Sequence, residues 1–187
     1  MLSEGNPPPM PPVACWESSD WPLQLPATIG VISDTHMSAR QVSLPDAIRQ
    51  AFAGLPLILH AGDVGSFALI EALRELAPVE AVCGNVDELT LGGMLPRHRL
   101  LRLGPWLIGL THGHGGSSAV SRAVQVFRCA EPRPDVIVLG HSHRPLCETQ
   151  DGVLLFNPGA IDRAFEAWPS FGLLHLGEGV EGEIVYL

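Results

Sequence analysis

Residues 28–36 read Thr-Ile-Gly-Val-Ile-Ser-Asp-Thr-His, and residues 56–63 follow the same grammar as Pro-Leu-Ile-Leu-His-Ala-Gly-Asp. Each is a short apolar run with branched side chains that ends at a carboxylate or an imidazole, the pattern of a buried strand and its tip. Three more stretches share the form: Val79–Cys83 before Gly84-Asn85-Val86-Asp87, Trp106–Thr111 before His112-Gly113-His114, and Asp135–Gly140 before His141-Ser142-His143. Helical periodicity falls between several of them. It places Ala47, Ile48, Ala51 and Phe52 on one face of Asp46–Ala53, Leu69, Ile70, Leu73 and Leu76 on one face of Phe67–Ala77, and Val120, Val124 and Phe127 on one face of Ser117–Cys129. Ligands of open α/β sheets gather beyond the carboxyl ends of the strands, so these five tips are expected to converge on one crevice.

The last quarter changes character. Val153–Phe156, Phe171–Leu176 and Glu183–Leu187 read as strands between glycine-containing turns, a run of antiparallel strands closing the molecule. At the other end, residues 1–26 carry Pro, Ser, Glu and Asn with two isolated tryptophans, Trp16 and Trp21. That composition favours an extended or disordered proline-rich arm, unless the tryptophans dock on the domain. Residues 27–187 are then expected to form a single domain, since 187 residues with 46% apolar content suffice for one well-buried core and are short for two.

Composition narrows the function classes. A formal charge of −9 argues against a protein that grips long nucleic acid, because that affinity comes from basic side chains neutralising phosphates. All 11 basic residues are Arg and none is Lys, which reads as a compositional bias. Cys15, Cys83, Cys129 and Cys147 form no CxxC pair and no regular framework, so neither a zinc knuckle nor a disulfide scaffold is indicated. The start of the chain lacks the charged and apolar regions of a signal peptide, and no apolar stretch nears the roughly 20 residues needed to cross a bilayer. A cytoplasmic protein without a membrane partner is expected.

The strand tips bring together Asp34, His36, Asp63, Asn85, His112, His141 and His143 as candidate metal ligands. Carboxylate, imidazole and amide donors without thiolate suit manganese, iron or zinc better than magnesium or calcium. Seven donors exceed one tetrahedral site but suit two ions about 4 Å apart bridged by a carboxylate, a pair that orients a phosphate ester and generates hydroxide near neutral pH. Charge counting favours a phosphodiester: four positive charges on two ions, less Asp34, Asp63 and a bridging hydroxide, leave one to match a singly charged diester.

The ordered series DxH, GD, GNxD, THG and GHxH, from Ile29 to Gly159, resembles the calcineurin-like metallophosphoesterases. The resemblance implies a four-layer αββα sandwich of two mixed β-sheets flanked by helices. It also implies that Asp34, His36, Asp63 and His143 hold one ion and that Asp63, Asn85, His112 and His141 hold the other, with Asp63 as the bridge. The small size and Asn157-Pro158-Gly159 look like the small single-domain phosphodiesterase branch of bacteria and archaea. Members of that branch favour manganese or nickel and commonly self-associate. The implied activity is hydrolysis of a small phosphorylated substrate, most readily a phosphodiester, by attack of a metal-bridging hydroxide. A phosphomonoesterase or nucleotide pyrophosphatase on the same site is the alternative, and a non-catalytic binding scaffold comes behind both.

The candidate catalytic residues are His114, Asp63 and Asn85. Where larger members carry a His in GNHD, this chain has Val86, so the proton donor is open; His114 is the candidate, with metal-bound water or a leaving group that needs no acid as alternatives. Asp87 reads as a supporting or turn residue more than a ligand, and His60 as a satisfied core histidine more than a supporter of the site. His98 and His175 have no functional context. Asn157 makes a tight turn, and Arg144 and Arg163 read as exposed salt-bridge partners before phosphate contacts.

Overall fold

The computed structural model describes residues 16–161 and 168–187, and within them the run Ala27–Ile32 (β2) sets the layering. Alternate side chains of a strand point to opposite faces. Ile29 and Val31 therefore enter a core between two sheets, while Ile32 enters a separate core under the helices Asp46–Phe52 (α1) and Phe67–Arg74 (α2). The sheet holding β2 has the strands Ile58–His60 (β3) and Val79–Ala81 (β4) parallel to it, with Ser170–Leu176 (β10) and Val180–Tyr186 (β11) antiparallel on its other side.

The facing sheet runs in the order Glu17–Trp21 (β1), His98–Leu103 (β5), Trp106–Thr111 (β6), Val136–Val138 (β7), Val153–Asn157 (β9) and Leu146–Gln150 (β8). Its inner face sends Leu101, Leu103, Ile108, Leu110, Val136, Val138 and Phe156 against Ile29, Val31, Leu57, Leu59 and Leu174. Burying each such side chain contributes about 1.5–3 kcal/mol, which makes this apolar slab the main source of cohesion. Its outer face carries the helix Ala119–Phe127 (α3). The result is two mixed sheets face to face with few helices outside, as the family resemblance implies.

Both helix layers rest on a strand glycine. A Cβ at Gly30 would lie 2.8 Å from ring carbons of Phe52, the last residue of α1, and one at Gly109 would lie 2.7 Å from Phe127, the last of α3. Each ring occupies the space where a strand side chain would stand.

Three expectations change. Ala47 of α1 is exposed, and the fully buried stripe of α3 is Ala119, Ala123, Val126 and Phe127, with Val120 and Val124 only half-buried, because the helix is rotated by about one residue, roughly a quarter of a turn, from the face that Val120, Val124 and Phe127 define. The last quarter is not one antiparallel run: β9 lies parallel to β7 in one sheet, while β10 and β11 join the other. β1, β5 and β8 were not anticipated.

β1 lies inside the segment expected as an arm, parallel to β5 and docked by its tryptophans. Trp16 packs on Phe127 with ring centroids 5.8 Å apart, and Trp21 donates from Nε1 to Glu80 Oε1 at 3.0 Å. Arg99 Nη1 also meets Glu80, at 3.0 Å, so Glu80 of one sheet joins the edge of the other.

Replacing Gly30 by Ala should lower stability by about 1–3 kcal/mol, the usual penalty for overfilling a packed core. Urea unfolding reads it, and an unaltered midpoint would mean that Phe52 can move aside freely.

Candidate metal centre

Among the described residues, five of the six non-glycine positions with left-handed backbone are Asp34, His36, Asp63, His141 and His143, at φ between 49° and 67°. All five sit at strand tips and are candidate ligands. This conformation is unfavourable for residues with a Cβ, by about 1–3 kcal/mol each, and persists where surrounding structure imposes it. Glycines beside them permit the close approach: a Cβ at Gly84 would overlap the Asp63 carboxylate, and one at Gly140 would overlap the Ser33 hydroxyl and lie 2.8 Å from Asp34.

Each carboxylate is held by one oxygen and offers the other. Asp34 is fully buried, and its Oδ2 accepts from the Ser33 hydroxyl at 2.6 Å and from the His141 N–H at 3.0 Å. Among the described residues its Oδ1 has no hydrogen-bond partner, and it lies 3.2 Å from His143 Nε2 and 3.9 Å from His112 Nε2. Asp63 Oδ1 accepts from the Val86 N–H at 2.9 Å, and its Oδ2 lies 3.3 Å from His112 Nε2 and 3.9 Å from His36 Nε2. His36 and His143 approach to 3.4 Å between their Nε2 atoms.

These atoms form two overlapping groups, Asp34 with His36 and His143, and Asp34 with Asp63 and His112. Asp34 is common to both, while Asp63 Oδ2 lies between His36 and His112, so either carboxylate can span the two positions.

His112 supplies the test of whether a cation belongs here. Its Nδ1 is 2.8 Å from the Ala61 carbonyl oxygen, which can only accept, so the proton of the neutral ring is on Nδ1. The Nε2 lone pair then points at the free oxygens of Asp63 and Asp34. A buried lone pair facing two carboxylate oxygens is repulsive unless a cation or a second proton lies between them. Burial favours neutral His112, but its approach to Asp63 and the charges of Asp34 and Asp63 raise its pKa above the ordinary value. Burial likewise opposes ionisation of Asp63, yet His112 and the Val86 N–H bring its pKa down to about 2. Oxygen and imidazole donors so arranged fit divalent transition ions.

The other candidates divide. The exposed His141 ring stands edge-on to His112 with centroids 5.1 Å apart, and His114 lies 5.5 Å from His112. Burial and the charge of His112 lower the pKa of both. His114 Nδ1 is buried without a hydrogen-bond partner among the described residues, and its Nε2 meets Glu88 at 3.4 Å. Asn85 is exposed, and its side chain makes no hydrogen bond among the described residues; the neighbouring Val86 N–H is what its loop gives to the cluster. Asp87 spends both oxygens on backbone, accepting from Gly84 and Val64 at 3.0 Å and from Gly65 at 2.9 Å, so it clamps two strand tips together.

Asn157 does the same for a third tip, donating to the Gly140 carbonyl and to Ser142 Oγ, both at 3.0 Å. Arg144 is exposed without an ion pair among the described residues, and Arg163 lies outside them. His175 pairs with Thr28 and Glu183, at the strand ends away from the centre.

Ser33 and Thr35 were not singled out from the sequence, since a hydroxyl at a strand end carries no distinguishing signal. Thr35 orders His60: the Gly62 N–H donates to His60 Nδ1 at 3.2 Å, so Nε2–H donates to Thr35 Oγ1 at 3.0 Å, and Thr35 donates onward to the Val64 carbonyl.

Burial is the largest cause that pushes His60 down to about 4, against the charges of Asp87 and Asp34. Below pH 6.5 the unfolded chain binds a proton that the folded chain takes up only near pH 4, so this histidine's stability contribution is present above 6.5 and is lost as pH falls through that window. Its size is about 3 kcal/mol. Urea midpoints between pH 7 and 4 should fall more steeply for the native chain than for His60→Gln, and equal slopes would show that His60 titrates normally.

Residues 28–179 match the calcineurin-like phosphoesterase superfamily domain. A probable metallophosphoesterase of Methanothermobacter thermautotrophicus is 37% identical over 158 residues, 84% of this chain and 91% of that protein. A phosphodiesterase of Methanocaldococcus jannaschii is 26% identical over 174 residues, covering 84% of this chain and 98% of the relative. Among solved structures, Vps29 of Entamoeba histolytica complexed with zinc superposes with a TM-score of 0.65 at 24% identity, over 85% of this chain and 98% of the other.

Proposed function

The chain belongs to the calcineurin-like phosphoesterase superfamily, and from that premise we propose that it is a metal-dependent phosphodiesterase using two divalent transition-metal ions, manganese first among them. The observation that carries the reading is the pair of buried, unsatisfied atoms, Asp34 Oδ1 and His112 Nε2, facing each other within a ring of imidazoles and a second carboxylate. The phosphodiesterase relative and the zinc complex of the structural neighbour support the substrate class and the metal chemistry.

Asp34, His36 and His143 would hold one ion; Asp63 and His112, with His141 and Asn85 from the adjoining tips, would hold the other. Bound ions supply Lewis acidity toward the phosphoryl group and a nucleophile from water near neutral pH. The chain's own part is orientation. The Ala61 carbonyl fixes the His112 tautomer, and Ser33 and the Val86 N–H aim the free oxygens of Asp34 and Asp63 inward. Val86 is half-exposed and offers no proton, so we assign proton donation to His114, the imidazole standing beside His112.

Chelation should abolish hydrolysis of bis-p-nitrophenyl phosphate and manganese should restore it. Asp63→Asn and His112→Ala should each lose more than the roughly 10–100-fold typical of altering only the surroundings of a metal ligand. Faster turnover of p-nitrophenyl phosphate would make the enzyme a monoesterase, and turnover of neither ester by metal-loaded protein would remove the hydrolase reading.

His114→Asn should slow an alkyl phosphodiester by about a hundredfold, the scale of general acid catalysis, and bis-p-nitrophenyl phosphate much less. Equal slowing of both would exclude proton donation.

A further inference from the structure

The rim beyond His114 carries charge that catalysis does not use. Glu88 Oε1 lies 3.4 Å from His114 Nε2 and 2.8 Å from Arg97 Nη2, so Arg97 stands two contacts outward from the ring beside His112. His98 is anchored through Nδ1 to Thr111 Oγ1 at 2.8 Å, and Thr111 precedes His112 in the chain. No described residue pairs with His98 Nε2.

Arg122 completes the arc from α3. A Cβ at Gly116 would lie 2.9 Å from its Cβ, which places Arg122 against the loop that leaves His112 and His114. Its Nη1 donates to Gln125 Oε1 at 3.1 Å, and no carboxylate among the described residues pairs with it.

Three basic side chains, Arg97, His98 and Arg122, flank this corner of a chain that is formally −9, with Glu88 as the acidic neighbour of Arg97. Burial, then the charges of Arg122, His114 and Arg97, pushes His98 down to about 4, whereas at His112 burial is outweighed by the approach to Asp63 and the charges of Asp34 and Asp63. Glu88 occupies one edge of Arg97, which leaves Arg122 as the principal cation of the group.

We propose that Arg97, His98 and Arg122 form an anion subsite beside the metal centre that takes a second phosphate of the substrate. This rests on the metal centre being the site of the first. Guanidinium groups bind phosphate through paired N–H bonds, and an imidazole N–H adds a third donor. The substrate class is then a phosphoester that carries a second phosphate group, such as a short 5′-phosphorylated oligonucleotide. Long strands are disfavoured because the overall charge repels them.

The test is calorimetric titration of manganese-loaded protein with thymidine 3′,5′-bisphosphate, thymidine 5′-monophosphate and thymidine 3′-monophosphate. The bisphosphate should bind about tenfold more tightly than either monophosphate, the gain of one charge-assisted phosphate contact, and Arg122→Gln should remove that difference. Arg97→Gln should reduce it, which keeps the test open if the first variant folds poorly. Equal affinities in the native chain, no binding of any of the three, or a difference that survives Arg122→Gln would overturn the subsite. Turnover of bis-p-nitrophenyl phosphate on the same samples reports separately on the hydrolase reading: a chain that cuts the diester yet binds all three nucleotides equally loses the subsite alone.

Discussion

Asp34 and Asp63 are buried carboxylates that face each other's histidine partners, and the rest of the centre exists to make that arrangement tolerable. Two such charges in one apolar sandwich carry a large desolvation penalty, which hydrogen bonds to one oxygen of each only partly offset. The remaining oxygens and the His112 lone pair call for a cation. Left-handed backbone at five candidate ligand positions fits the same demand, since the chain must turn sharply to aim carboxylates and imidazoles at a shared point.

What holds those turns is a set of polar clamps running between strand tips. Asp87 ties the tip after β4 to the one after β3, Asn157 steadies the loop after β7, and His60 with Thr35 links β3 to the loop after β2. Each clamp is buried and fully bonded, so each rigidifies the site while adding no ligand of its own. The apolar slab between the sheets then keeps the tips from drifting apart, and Trp21, Glu80 and Arg99 close its open side.

Legibility in the sequence follows exposure and chemistry. Buried strands such as β2, β3, β6 and β7 announce themselves as apolar runs, and the polar residue ending each run marks the site because a carboxylate or imidazole there has no packing reason to exist. Edge strands are harder. β1 and β8 are largely exposed and read Glu-Ser-Ser-Asp-Trp and Leu-Cys-Glu-Thr-Gln, because most of each strand meets solvent; β5, next to the edge, hides for another reason, since two arginines interleave its leucines. The buried face of α3 was misjudged for a related reason: alanines fit closely against the sheet, so the tight interface is made by its small residues while Val120 and Val124 stand at the margin.

The sequence by itself determined the family, the identity and order of the ligand candidates, and their placement at strand ends, because each of these is carried by residues adjacent in the chain. Only the tertiary structure decided which oxygen of each carboxylate is tied and which is free, that Asp34 belongs to both candidate ligand groups, that Asp87 is a clamp, and that Arg97 reaches His114 through Glu88. The physical reason is distance along the chain. The contact of Asp34 with His143 joins residues from separate sheets, and its direction depends on how those sheets pack, a sum of many weak apolar contacts that no local pattern records.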